Sequence, residues 1–277
     1  MRKLAVIGDS HGNYEALKAV LEDADKQNVT DYVVLGDITN RGPEPAECVT
    51  ALQKVDPLAW IIGNHENVYR NLLTHTFTNF AENPKAVMAI ITSTYDYQHL
   101  GEAQFEWLSK RPLTAEVELE KIKFYLFHST PNKCRGHFSF PTNTQENFDE
   151  LMAHTDADMG IYGHTHRYLM RMTSDGRYIF NPGSVGMPVS DRLLISGQAS
   201  YGLITVDNQR LISWEQRNVP YDLEQELKTA RERQIPYYDL YEELLRTGKF
   251  TFNPEKVQAE NQKRNYVKQA LEDVEKF

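Results

Sequence analysis

One pattern recurs along the chain and restricts its fold more than any other. Short apolar runs rich in β-branched residues are each followed, within a few positions, by a side chain able to ligate a metal. LAVIGDSHGN carries Asp9 and His11, YVVLGDITNRG carries Asp37, and AWIIGNHE carries Asn64 and His65. FYLFHS carries His128, and GIYGHTH carries His164 and His166. The runs alternate with stretches of helical character at Tyr14 to Gln27 and Glu44 to Lys54, so the chain reads as βαβ units around a largely parallel sheet. In such sheets, sites form beyond the carboxyl ends of the strands, where all of these side chains fall.

Gly8, Gly36, Gly63 and Gly163 stand at four of the strand exits. Each is expected to let the chain leave its strand sharply and turn a side chain inward. A single Gly-Asp after a strand is ordinary turn chemistry, but four Gly-ligand junctions together with His128 predict a metal site. Of nine histidines, five lie in these motifs. In YGHTHR, residues 162–167, two histidines stand two positions apart. In an extended chain such side chains point the same way, about 7 Å apart at their bases. His164 and His166 therefore converge on one region, either sharing one metal or taking one each of two.

Charge and cysteine usage limit the partners. A chain of 277 residues can bury a full core. Its net charge, 30 − 39 = −9, argues against general duplex nucleic-acid binding, which relies on basic surface to displace counterions; a phosphate ligand must meet a local cationic site instead. Cys48 and Cys134 are the only cysteines, with no disulfide framework, which predicts a cytoplasmic protein. The start, MRKLAVIGDS, has an apolar run too short for an export signal, and nothing approaches a membrane-spanning length.

GDSHGN, GDITNRG, GNHE, an isolated histidine at a strand end and GHTH, in this order, resemble the calcineurin-like metallophosphoesterases; the motifs span Gly8 to His166. The resemblance implies an α/β fold, a four-layer α/β/β/α sandwich, with two metal ions per chain. Carried over motif by motif, Asp9, His11 and His166 bind the first ion, Asn64, His128 and His164 the second, and Asp37 bridges both. The two histidines of GHTH would then face different ions. Imidazole, carboxylate and amide donors without thiolate suit Mn, Fe, Zn or Ni, with Mn or Fe favoured. Two ions about 3.5 to 4 Å apart can share a hydroxide that attacks phosphorus in line. His65, by the same resemblance, stands near the leaving oxygen as proton donor or transition-state stabiliser.

Other segments narrow the branch. Arg41, in TNRG, matches the phosphate-contacting arginine of the protein-phosphatase branch. Asn40 departs from that branch, since an aspartate usually supports the catalytic histidine there, and this argues against a Ser/Thr protein phosphatase. FNPGSVGMP, Phe180 to Pro188, resembles the small bacterial phosphodiesterase subgroup, with mostly structural work expected of its residues. Lys133 and Arg135 in TPNKCRGHF, and Arg167 after His166, are candidate contacts for a phosphate chain. Cys134 reads as a buried small side chain.

Residues 1–220 are expected to form the catalytic domain and 221–277 a helical extension packed on it, with coverage of the cleft as the alternative. Leu223, Leu227 and Ala230 have helical spacing, as do Val267, Ala270, Leu271 and Val274, with Pro236 and Pro254 as breaks. Arg231 to Gly248 resembles the tail of a streptococcal asymmetric diadenosine tetraphosphate hydrolase of this superfamily, which ranks substrates. The sequence thus predicts a dinuclear phosphohydrolase acting on a small soluble nucleotide or phosphoester, first of all diadenosine tetraphosphate cut to ATP and AMP. The alternatives are a broad-specificity phosphodiesterase or nuclease and, from another class, a non-catalytic metal-binding scaffold.

Overall fold

The computed structural model describes residues 1–190 and 193–277. Its first half alternates strand and helix as the apolar runs require: β1 (Arg2–Ile7), α1 (Tyr14–Lys26), β2 (Asp31–Val34), α2 (Pro45–Lys54), β3 (Ala59–Trp60), α3 (Asn64–Leu73) and α4 (Pro84–Ser109). Then come β4 (Thr114–Leu119), β5 (Ile122–Phe127), α5 (Gln145–Leu151), β6 (Met159–Tyr162), β7 (Tyr168–Met172) and β8 (Tyr178–Pro182). A long hairpin, β9 (Gln198–Asp207) and β10 (Arg210–Pro220), precedes α6 (Leu223–Glu232), α7 (Tyr238–Thr247), α8 (Pro254–Arg264) and α9 (Tyr266–Asp273).

The strands form two five-stranded sheets, in the orders β10-β9-β1-β2-β3 and β4-β5-β6-β8-β7. The first is parallel across β1-β2-β3, which run to one of its edges, and the second is parallel at its centre, β5-β6-β8. The expectation of one largely parallel sheet is corrected: β9, β10, β4 and β7 pair antiparallel. β4–β5, β7–β8 and β9–β10 are hairpins, which join antiparallel neighbours without a crossover helix, whereas β9 reaches β1 from far along the chain.

Strand periodicity explains the layers. In β1, Leu4 and Val6 face the second sheet and pack with Val33, Phe124, Leu126, Ile161 and Ile204. Ala5 and Ile7, one residue out of phase, face the helical layer with Leu17, Val49, Leu52 and Tyr69. The far face of the second sheet is covered by α5, through Phe148 and Leu151 against Phe127, Tyr162 and Ile179. Helices, sheet, sheet and helix give the four-layer α/β sandwich expected.

The C-terminal helices add to the layer that covers the first sheet: Leu227, Tyr241, Leu244, Phe252 and Ala270 are buried in the same core as α1 to α4. Pro254 starts α8, where its missing N–H costs nothing. Leu271 departs from the expected buried stripe and is half-exposed, because the short α9 turns only its Ala270 side fully inward.

Candidate metal centre

All five ligand-bearing segments lie at the carboxyl ends of β1, β2, β3, β5 and β6, so both sheets deliver side chains to one edge of the sandwich. Asp9, His11, Asp37 and His166 are buried, and one ligand atom from each lies within 4.8 Å of the others. His166 Nε2 is 3.3 Å from Asp9 Oδ1, and His128 Nε2 is 3.2 Å from Asp37 Oδ2. The same Asp37 oxygen is 3.9 Å from His11 Nε2, so it sits between the two histidine groups. On the far side Asn64 Oδ1 and His164 Nδ1 are 2.7 Å apart, and the ring of His164 lies 5.3 Å from that of His128.

The backbone is strained where these side chains leave it. Asp9, His11, Asp37, His164 and His166 all have positive φ, between 51° and 65°, a conformation costing about 1 kcal/mol or more per residue. The sharp exit is therefore carried largely by the donor residues. This corrects the role expected of the glycines: among the four, only Gly36 itself has positive φ. Gly63 and Gly163 are needed for room. A Cβ on Gly63 would stand 2.1 Å from Asp37 Oδ1, and one on Gly163 would stand 2.6 Å from Asp9 Oδ2.

The donor set fits cations. Three histidines each give one ring N–H to a main-chain carbonyl: His11 Nδ1 to Asn40 at 3.1 Å, His128 Nδ1 to Leu35 at 2.7 Å and His166 Nδ1 to Met187 at 2.8 Å, while His164 Nε2 stands against the Gly136 backbone, 3.0 Å from its carbonyl and 3.3 Å from its N–H. A carbonyl only accepts, so the proton of a neutral ring sits on that nitrogen and the other nitrogen presents a bare lone pair. These lone pairs face other acceptors: His11 Nε2 and His166 Nε2 are 3.0 Å apart, and His128 Nε2 is buried with no hydrogen-bond partner. Two nitrogens about 2.1 Å from one ion and at right angles to each other are separated by about 3 Å.

Charge points the same way. Among the described residues, the ion-pair contacts of Asp9 and Asp37 are all to histidines. Burial opposes charging of His128, yet Asp37 and then Asp9 outweigh it and push the imidazole up to about 10, so that without an ion Nε2 takes up a proton where a cation would otherwise meet its lone pair.

His65 lies at the rim. Its backbone N–H donates to Asp37 Oδ1 at 2.8 Å, and its ring stands edge-on to His11 at 5.2 Å. Burial pushes its pKa down to about 3 against the pull of Asp37, so the ring is neutral. Its Nδ1 is buried with no partner, and so are both amide atoms of Asn40. The support that an aspartate would give at that position is not formed.

Residues outside the donor set brace this centre. Glu66 is the chief one: its carboxylate accepts N–H groups from Asp37 at 2.8 Å, Ile38 at 2.7 Å and Gly63 at 3.0 Å, tying the loop after β2 to the loop after β3. Its position three residues after Gly63, the N-cap of α3, is a capping signal legible in GNHE. FNPGSVGMP is also a brace. Asn181 donates to the Gly163 carbonyl, Ser184 donates to the Asp9 carbonyl at 2.7 Å, and the Met187 carbonyl orients His166. No local signal marks those contacts, because they span more than 150 residues in Ser184 and only the fold closes them.

The predicted substrate contacts are dispersed. Arg41 is nine-tenths buried and stacks over the Phe252 ring at 4.4 Å. Lys133 and Arg135 are exposed, and their loop reaches the centre through the Gly136 backbone at His164. Arg167 is half-buried next to His166. Cys134 is buried, and burial followed by Asp37 raises its thiol to about 11, which leaves it unreactive at neutral pH.

The calcineurin-like phosphoesterase superfamily domain matches residues 2–209. The chain belongs to that superfamily. Phosphodiesterase YfcE of Escherichia coli K12 is 26% identical over 231 residues, covering 79% of this chain and 96% of its own. A symmetrical bis(5'-nucleosyl)-tetraphosphatase of Paracidovorax citrulli is 29% identical over 128 residues, 46% of this chain and 43% of its own. The crystal structure of a metallophosphoesterase from Sphaerobacter thermophilus, 26% identical, superposes with a TM-score of 0.70 over 89% of this chain and 99% of that one. This calcineurin-like phosphoesterase is accordingly a hydrolase of phosphoester bonds, and its family implies divalent metal ions, for which the buried cluster offers a site. Among the described residues no helix is long and apolar enough to cross a membrane.

Proposed function

We propose that the chain is a dinuclear phosphohydrolase of a soluble nucleotide, acting in the cytoplasm, with diadenosine tetraphosphate cut to ATP and AMP as its first substrate. The observation that carries the hydrolytic part is the ring of fixed tautomers, in which carbonyl-anchored histidines turn bare lone pairs toward Asp9 and Asp37. Asp9, His11 and His166 form one donor group and Asn64, His128 and His164 the other, with Asp37 shared. Bound ions, Mn or Fe by preference, supply Lewis acidity and an activated water. Residues 1–220 supply these donors; the extension of 221–277 packs on them.

His65 stands next to the shared carboxylate without being one of the donors, within reach of a leaving oxygen. Burial keeps the ring neutral until an anion is bound; a phosphate dianion next to it raises its proton affinity and equips it as the acid. Arg41, Lys133, Arg135 and Arg167 are the cations available to the phosphate chain. The tetraphosphate reading is supported by the tail segment Arg231 to Gly248 and by the relationship to a dinucleoside tetraphosphatase. That relative is named symmetrical, so product identity decides. Chromatography of early products from diadenosine tetraphosphate with Mn should show ATP and AMP in equal amounts. ADP as the main product refutes the asymmetric cut. A second reading, a general phosphodiesterase, is favoured by the likeness to YfcE along 79% of the chain. It predicts turnover of bis(p-nitrophenyl) phosphate with none of the tetraphosphate.

A further inference from the structure

Arg41 has an environment unlike that of an ordinary structural arginine. It is nine-tenths buried, its Nη1 has no hydrogen-bond partner, and among the described residues no carboxylate lies within ion-pair distance of it. Its φ of 109° lies in a region L residues rarely adopt. A buried guanidinium without a counter-ion is costly. Here the ring of Phe252, 4.4 Å below its centre, and the more distant charges of Asp37 and Asp96 compensate it in part. Burial pushes the group down to about 10, so it remains charged at neutral pH.

A second cation stands in the same place. Lys85, in the first turn of α4, lies 5.2 Å from the ring of Phe250, which is itself 6.4 Å from Phe252. Lys85 makes no ion pair among the described residues, and burial followed by the charge of Arg41 brings it down to about 8. Two neighbouring cations thus share one aromatic wall with no acid between them. The wall comes from the segment between α7 and α8, and Thr251 anchors it by donating to the Leu240 carbonyl at 2.6 Å. The residues on either side of Arg41 both bond to His11, Asn40 through its carbonyl to the ring at 3.1 Å and Gly42 through its N–H to the His11 carbonyl at 2.7 Å, and the His65 ring stands 5.2 Å from that of His11, which puts Arg41 on the His11 and His65 side of the metal centre.

We propose that Arg41 and Lys85, walled by Phe250 and Phe252, form a subsite for a second phosphate group, the one attached through the leaving oxygen. The substrate class is then a nucleoside polyphosphate carrying at least one ionised phosphate beyond the phosphorus attacked, with the C-terminal extension as a fixed wall of the cleft. This rests on the phosphohydrolase reading above and deepens it.

The test separates the two. Lys85 is partly exposed, so Lys85→Ala should fold; Lys85→Arg serves as the conservative control. Calorimetric binding of inorganic tripolyphosphate to chelator-treated protein should weaken about tenfold in Lys85→Ala and recover in Lys85→Arg. That effect lies between the few-fold loss for an exposed charge pair and the larger loss for a buried one. With Mn restored, KM for diadenosine tetraphosphate should rise by a similar factor, while kcat/KM for bis(p-nitrophenyl) phosphate stays within twofold. Unchanged tripolyphosphate binding in Lys85→Ala, or equal losses for both substrates, overturns the subsite. Tripolyphosphate binding that depends on Lys85 in a protein without hydrolytic activity upholds the subsite and overturns the hydrolytic reading instead.

Discussion

Replacing Glu66 by Gln changes one atom and should damage both fold and chemistry. The carboxylate holds four main-chain N–H groups: Oε2 accepts from Asp37 at 2.8 Å and Gly63 at 3.0 Å, and Oε1 accepts from Ile38 at 2.7 Å and Thr39 at 3.3 Å. An amide keeps one acceptor oxygen and turns an NH2 group toward the other two donors, so two buried N–H groups lose their partner. At about 1–3 kcal/mol each, the loss is about 2–6 kcal/mol. At this chain length about 2 °C of melting temperature goes with each kcal/mol, so the midpoint should fall by about 4–12 °C in chelator. The same two N–H groups fix Asp37 and the start of α3, which carries Asn64 and His65. Metal content after dialysis should therefore drop together with kcat. Differential scanning calorimetry and metal analysis on one preparation read both. A variant with wild-type midpoint and full metal content would refute the claim that Glu66 braces the centre.

Asp37→Ala should abolish turnover and lower metal content at both positions, since one carboxylate oxygen lies between the two histidine groups; retention of two ions with normal turnover would refute the sharing. His65→Ala should lower kcat by about 10²- to 10⁴-fold with metal content unchanged, and less for nitrophenyl esters than for alkyl ones, whose leaving groups need the proton more. Glu226 is fully buried, and burial lifts its carboxyl from 4.5 to about 8 against the donated Tyr241 hydroxyl. A raised carboxyl binds its proton more tightly folded than unfolded, so its contribution is present below about pH 4.5 and is lost as pH rises to about 8. The loss is about 3–5 kcal/mol at most. Glu226→Gln should therefore flatten the fall in urea midpoint over that window, and a wild-type slope in the variant would refute the assignment.

The donors of the candidate centre were legible in the sequence because their chemistry is local. A β-branched run, a glycine and an Asp or His stand next to one another in the chain, and the rule that sites gather at the carboxyl ends of parallel strands does the rest. The four-layer sandwich was legible through the family resemblance, whereas runs such as LAVI, buried on both faces, show only that a strand has neighbours on each side. What local patterns leave open is which distant groups meet. Only tertiary structure turns the Met187 carbonyl onto His166, brings Ser184 under Asp9, and lays Phe252 beneath Arg41 from 211 residues further along the chain. The same holds for the glycines. Their presence at strand exits is visible in sequence, but the space at Gly63 is taken up by Asp37 from the neighbouring strand, a contact no residue near Gly63 announces. Side-chain type and strand period are properties of a short segment, while hydrogen-bond partners, burial and counter-ions are properties of the packed whole.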